Sequence, residues 1–158
     1  DLDGIWQTVT DEAIPAFAPS TEKCFMNKGG TFTLASNSIK ISTFTLSSGG
    51  VVVPRRDVTA SSGVAHFMLT DQLPMFGCDP EADLVANYDY HGLFAAGTEA
   101  AISLSVNNGT DKCTITIPKF QFREKNEGDR DGILIHELNG QCNHSSGDDA
   151  VSISFTAA

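Results

Sequence analysis

The sequence predicts a mainly β protein, an antiparallel β-sandwich or barrel with one flanking α-helix, and three observations carry that expectation. Apolar residues recur with a period of two over short stretches, as in residues 31–34, 113–117 and 151–155, the spacing of strands with one face buried. Glycine, proline and asparagine punctuate those stretches at turn positions, residues 61–63 and 107–111 among them. Helix signals at both ends occur in one place only, residues 80–91. With 158 residues, 41% hydrophobic and 19% charged, the chain has the length and composition of a single globular domain over residues 1–158.

The elements follow in order. Leu2, Gly4 and Trp6 alternate as in a strand already under way at residue 1, the pattern of a chain cut from something longer. Residues 10–30 hold Pro15, Pro19, Asn27, Gly29 and Gly30 without a sustained period and read as connecting chain. Beyond Thr31 the apolar phase shifts twice. Phe32 and Leu34 share one parity, Ile39 and Ile41 the other, and Phe44 and Leu46 return to the first, which predicts a turn at Ser36 and Asn37 and a bulge near Ser42 and Thr43. Residues 47–63, with Gly49, Gly50, three valines and Gly63, read as an extended hairpin arm, and Pro54 confines that arm to an edge. In residues 64–69 both alternating sets are largely apolar, which predicts a strand buried on two faces.

The helix over residues 80–91 is read from Asp79 as N-cap, Pro80 in the first helical position, and Glu81 and Asp83 in the first turn. Leu84, Val85 and Tyr88 form its apolar stripe and Gly92 its stop. Two strands follow, about 99–106 and 112–122, joined by an Asn-Gly loop at residues 107–111. In the second, Cys113, Ile115 and Ile117 share a face, and after Pro118 the phase passes to Phe120 and Phe122. A final pair covers roughly 132–142 and 149–156.

Charge and motifs narrow the function. Ten Lys and Arg against 20 Asp and Glu give a net charge of -10, which opposes a phosphate-binding surface and disfavours a general nucleic-acid binder. No apolar run approaches the ~20 residues of a membrane-spanning helix. Cys24, Cys78, Cys113 and Cys142 lie far from the close spacing of zinc ribbons and read as packed thiols, with one or two disulfides as the competing reading. Glu127, Asp129 and Asp131 alternate before Gly132 like calcium ligands. The twelfth position, a bidentate glutamate in an EF-hand, is Leu138, and Arg130 puts a cation inside the loop, so the run reads as a polar turn feeding a strand. The four histidines show no ligand spacing, and no nucleophile elbow, phosphate loop or dinucleotide fingerprint occurs. The residues therefore single out no catalytic, cofactor-binding or metal-binding set.

Residues 128–133 (Gly-Asp-Arg-Asp-Gly-Ile), a strand, and then residues 147–155 resemble the C-terminal portion of the tail tube proteins, or major tail proteins, of long-tailed bacteriophages. Gly4, Ile5 and Trp6 followed by Asp11, Glu12, Ala13, Ile14 and Pro15 are similar to that family's opening strand and its exit. Residues 31–34 and 39–46 with Gly49 and Arg55 are similar to its strand-plus-arm segment. The resemblance runs in order over most of the chain. It implies a β-sandwich or barrel with one helix, a homo-oligomeric ring, usually hexameric, and stacking of rings into a tube. Genomic DNA passes through such a tube during ejection without specific binding. It further implies other tail proteins as partners, no membrane, no enzymatic activity, no cofactor, and a place in the virion tail after assembly in the host bacterial cytoplasm. Subunits of that family are commonly longer than this chain.

The arm gives the resemblance a physical counterpart. A ring former closes its sheet edges against neighbours, and residues 47–63 combine flexible glycines with Val51, Val52, Val53 and with Arg55 and Arg56, two of only four arginines. Those five residues are the candidate subunit interface. The competing reading is a secreted β-sandwich adhesin or carbohydrate-binding module, in which Trp6, Tyr88 and Tyr90 would line a sugar site. A hydrolase built on a pair of convergent carboxylates is a third.

Overall fold

The structure, a computed structural model, describes residues 24–157, so the alternation at Leu2, Gly4 and Trp6 and most of the connecting chain over 10–30 lie outside the described residues. The described chain is mainly β. Its elements are β1 (Met26–Leu34), β2 (Asn37–Ser38), β3 (Phe44–Ser47), β4 (Gly50–Arg56), β5 (Val64–Gln72), β6 (Met75–Cys78), α1 (Tyr90–Ala96), β7 (Glu99–Asn107), β8 (Asp111–Arg130), β9 (Ile133–Asn143) and β10 (Ser152–Ala157). All pairings are antiparallel. The described residues group into two compact units, the β4–β5 hairpin over Gly50–Gln72 and a large sheet built from Cys24–Gly49 and residues 73–157.

The large sheet runs β2-β1-β7-β8-β9-β6-β3, with β10 paired to the first part of β8. It closes on itself in sandwich fashion, and one side chain shows how. Phe76 of β6, 1% exposed, stacks on Phe32 of β1 at 6.2 Å and meets Phe120 of β8 edge-on at 5.8 Å. β1 and β6 are not neighbours in the sheet, so the contact joins its two ends face to face over a core that includes Leu34, Ile102, Ile117 and Leu138.

The phase changes read from the sequence have structural causes, but the one near Ser42 and Thr43 is not a bulge: both residues lie in the connection between β2 and β3, where their N–H groups bond the Asp79 carboxylate. Ala35 and Ser36 take φ of 49° and 68° and turn β1 into β2. In β8, Ile117 pairs with Ile102 and Phe120 with Ala100, so Pro118 and Lys119 together oppose Ala101. That bulge lets Ile117 and Phe120 both point into the core although their numbers differ by an odd count. Further along β8, at the position paired with Phe122, a side chain on Gly140 would collide with the Gln121 carbonyl and the Phe120 ring, so only glycine lets β9 lie this close to β8.

Three sequence expectations are corrected. The helix is not at residues 80–91 but at Tyr90–Ala96, about two turns long. Asp79 does not cap it: its carboxylate accepts from the Ser42 and Thr43 N–H groups at 2.8 and 2.7 Å and pairs with Arg130. The Pro80 carbonyl accepts from the His136 N–H and the Ala82 N–H donates to the Leu134 carbonyl, so residues 80–82 run extended along β9. With that segment spent on the sheet, Leu84 and Val85 are exposed and only Tyr88 of the expected stripe is buried. Asp89 is the actual N-cap, accepting from the Gly92 N–H, and Gly97 ends the helix in the left-handed conformation. The second correction is residues 64–69, expected to be buried on both faces. Among the described residues β5 pairs with β4 alone, and most of it is exposed. Third, the arm expected over 47–63 is longer: its two strands begin at Gly50 and end at Gln72.

Cys78 and Cys142 are buried, Cys113 is half-buried and Cys24 is exposed, and all four carry free thiols. Burial, with the Asp79 charge adding to it, pushes the Cys78 thiol up to about 12, and burial pushes Cys142 up to about 11. Both are protonated and shielded at neutral pH. Thiol titration at pH 8 is expected to give prompt reaction at Cys24 and, for Cys78 and Cys142, reaction only after denaturation; prompt reaction at either buried thiol would contradict this packing.

Candidate assembly surface

The β4–β5 hairpin holds all five residues that the sequence singled out. Its tip is a polar turn that closes without help from a core. The Asp57 carboxylate accepts from the Thr59 N–H and hydroxyl at 2.8 and 2.7 Å, and Gly63, at φ 71°, lets the Asp57 N–H reach its carbonyl. The two hydrogen bonds from Thr59 hold the Asp57 carboxyl below its ordinary value, so that charge serves the turn.

Register places the side chains. Val52, Val53, Pro54 and Arg55 pair with Leu69, Met68, Phe67 and His66, while Val51 pairs with Asp71 and Arg56 with Val64. The register shifts insert Thr70 and Ala65 into β5, so β4 keeps strict alternation. Val51, Val53 and Arg55 therefore share one face and Val52, Pro54 and Arg56 the other. The valines lie toward the base of the hairpin, where Asp71 stands beside Val51, and the two arginines toward its tip. Val52 is 58% exposed and Leu69 57%, and Val51, Val53 and Met68 also lie open.

Sequence reasoning missed Met68 and Leu69. Apolar residues on both faces of a strand describe a strand buried in a chain's own core equally well as one that presents both faces to a partner, and the pattern cannot separate the two. The only local signal was Pro54 on the paired strand, which keeps the pair at an edge.

In the large-sheet unit a charged clasp fixes one end of the sheet. Arg130, at the close of β8, donates to Asp79 at 2.7 Å and to Glu81 at 3.0 Å, and Glu81 also faces Lys40 at 3.9 Å. Burial pushes the Asp79 carboxyl up, but the Thr43 and Ser42 N–H groups and the Arg130 guanidinium outweigh it and hold the group below its ordinary value. The run Glu127–Gly132, expected to be a polar turn throughout, is instead the last four residues of β8 followed by a turn at Asp131 and Gly132, with φ of 54° and 84°, because β8 runs on past residue 122 to Arg130 alongside β9.

The sugar-stacking role considered for Tyr88 and Tyr90 finds no support, because both rings are buried, 9% and 3% exposed, and pack on each other at 4.5 Å. A cleft of about 430 Å³ beside them is lined by Lys40, Glu81, Asp83 and Asn87, among others. Its carboxylates are already engaged, Glu81 by Arg130 and Asp83 by the Leu84 N–H and the Asn87 amide. Among the described residues no group of three or more His, Cys, Asp or Glu is placed to hold a metal ion, and no helix is long and apolar enough to cross a membrane. Compared with known proteins, the chain matches no family model and no curated sequence.

Proposed function

We propose that this chain is a structural subunit of the phage tail-tube kind, which assembles with copies of itself into stacked rings around a channel for DNA and transforms no substrate. The observation that carries the proposal is the β4–β5 hairpin: a two-stranded sheet with Val51, Val52, Val53, Met68 and Leu69 open to solvent. An isolated hairpin is marginal in water, and contiguous exposed apolar side chains mark an interaction surface. The mainly β, sandwich-like sheet with one short helix supports the same reading.

The energetics call for an assembly in which each copy makes more than one such contact. Each of the five residues, about half exposed, would contribute roughly 1 kcal/mol on burial. Their total, about 5 kcal/mol, only matches the low end of the ~4–15 kcal/mol cost of association. A single hairpin contact is therefore weak, and closure of several copies, each giving and receiving one contact, is the economical route to a stable assembly. The net charge of -10 per subunit suits a channel wall that repels phosphate. In this reading the protein resides in the virion tail, is assembled in the bacterial cytoplasm, and meets other tail proteins at the ends of the tube.

Negative-stain electron microscopy across a concentration series tests the reading. Rings or tubes are expected at high concentration, and replacing Val52 and Leu69 by serine is expected to abolish them while the circular dichroism spectrum stays β. Dispersed single particles at every concentration would overturn it.

A further inference from the structure

His136 on β9 is a buried titratable group, 5% exposed, and among the described residues its Nδ1 has no hydrogen-bond partner. The first two residues of α1 rest on it. The Tyr90 ring packs on the imidazole at 4.9 Å, and the His91 ring meets it edge-on at 5.8 Å. β8 supplies the charges. Glu127 is the direct cross-strand partner of His136, and Lys125, two residues before it on the same face, has a side chain only 5% exposed. The Glu127 carboxylate lies 3.6 Å from the Lys125 ammonium and 3.7 Å from His91 Nε2. From the segment over residues 80–82, the Pro80 carbonyl accepts from the His136 backbone N–H, and Glu81 is turned to Arg130.

We infer that this cluster is a pH-sensitive latch, which holds the first turn of α1 against β8 and β9 near neutral pH and releases it in mild acid. With both imidazoles neutral the charges balance, Lys125 against Glu127. An imidazolium carries N–H at both ring nitrogens, so protonating His136 buries an Nδ1–H that has no acceptor and sets a new cation near Lys125. A proton on His91 adds a third cation around the one carboxylate. Burial, with Lys125 and His91 adding to it and Glu127 opposing, holds the His136 imidazole below its ordinary 6.5. A base held low while α1 is docked, and ordinary once it is released, favours docking in full above pH 6.5, and that preference is lost as pH falls toward the lowered value. The far end of α1 is tied separately, by the Gln121 amide donating to the Gly97 carbonyl at 3.2 Å, so release begins at Tyr90 and Gly97 is the pivot. The latch lies wholly in the large-sheet unit and does not rest on the assembly reading.

Nuclear magnetic resonance on the full chain, kept dilute, tests it between about pH 7.5 and about pH 5, above the range in which the Asp79 clasp titrates. On acidification the Overhauser contact between the Tyr90 and His136 rings is expected to disappear. Amide protection factors over residues 93–96 are expected to fall about tenfold relative to those of β7 and β8, the size of a one-unit difference in pKa. That fall should share its midpoint with the titration of the His136 ring. His136→Phe keeps a flat ring and takes no proton, so its α1 is expected to show the same protection at both pH values. His136→Gln, a second neutral side chain, is expected to do the same and serves if the phenylalanine variant does not fold. Wild-type protection that stays unchanged down to pH 5, or a fall that persists in a folded His136 variant, overturns the latch.

Discussion

Replacing Phe76 with alanine is expected to destabilise the large-sheet unit by about 4 kcal/mol, the upper part of the range for a buried phenylalanine. The site explains the size of the effect. Phe76 is 1% exposed and touches three other rings, Phe32 at 6.2 Å, Phe44 at 6.4 Å and Phe120 at 5.8 Å. The truncation loses the transfer energy of the ring and leaves a hole at the point where the two ends of the sheet meet, walled by β-strands whose paired backbones cannot collapse into it. In a chain of this size that loss corresponds to a fall in melting temperature of roughly 8–16 °C. Phe44→Ala, at a half-buried position on the edge strand β3, is expected to cost clearly less. Denaturant unfolding followed by circular dichroism measures both. A loss below about 1 kcal/mol at Phe76 would mean that β6 does not close over β1 and β8.

Asp79→Ala is expected to cost about 3 kcal/mol at neutral pH, within the range for removing one partner from a buried, hydrogen-bonded ion pair. The carboxylate, 12% exposed, is the acceptor for two backbone N–H groups and for Arg130, and the substitution strands all three. Glu81 keeps a hold on the guanidinium, so the effect stays short of the upper limit. The pH dependence separates the charge from the packing. Asp79 has a folded pKa below its ordinary 3.8, so its contribution is present in full well above pH 3.8 and fades as pH falls through the lowered value. The gap in stability between wild type and Asp79→Ala should therefore be widest at neutral pH and narrow below about pH 4. Taking the difference between the two proteins cancels the other carboxyls that also titrate low, Asp57, Asp83, Glu99 and Asp149. A gap that stays constant down to pH 2 would show that the clasp is held by shape alone.

The same clasp explains why one element was misread. Asp79, Pro80, Glu81 and Asp83 make a strong local case for a helix start, and nothing nearby in sequence argues against it. The competing claims come from Ser42, Thr43 and Arg130, whose distance along the chain hides them from any local pattern. Three charge-assisted hydrogen bonds outweigh a helix cap worth about 1 kcal/mol. The actual helix, with Asp89 and Gly97 at its ends, carries similar signals over only seven residues, and most of its length is exposed, so its apolar period was too short to stand out.

By itself the sequence determined the class of the fold, most strand positions from residue 99 onward, the phase change at Pro118 and the location of the hairpin, because alternation, turn residues and proline act within a few residues of one another. It also picked out Val51, Val52, Val53, Arg55 and Arg56 as residues with no evident place in a core. Only the tertiary structure decided which apolar strand is covered. Residues 64–69 and residues 113–117 are both rich in apolar side chains, yet β8 lies between β7 and its partners on the other edge, whereas among the described residues β5 has β4 alone. Burial depends on whether a second layer arrives over a strand, and that layer comes from distant parts of the chain, such as Phe76 closing over Phe32, or from another molecule.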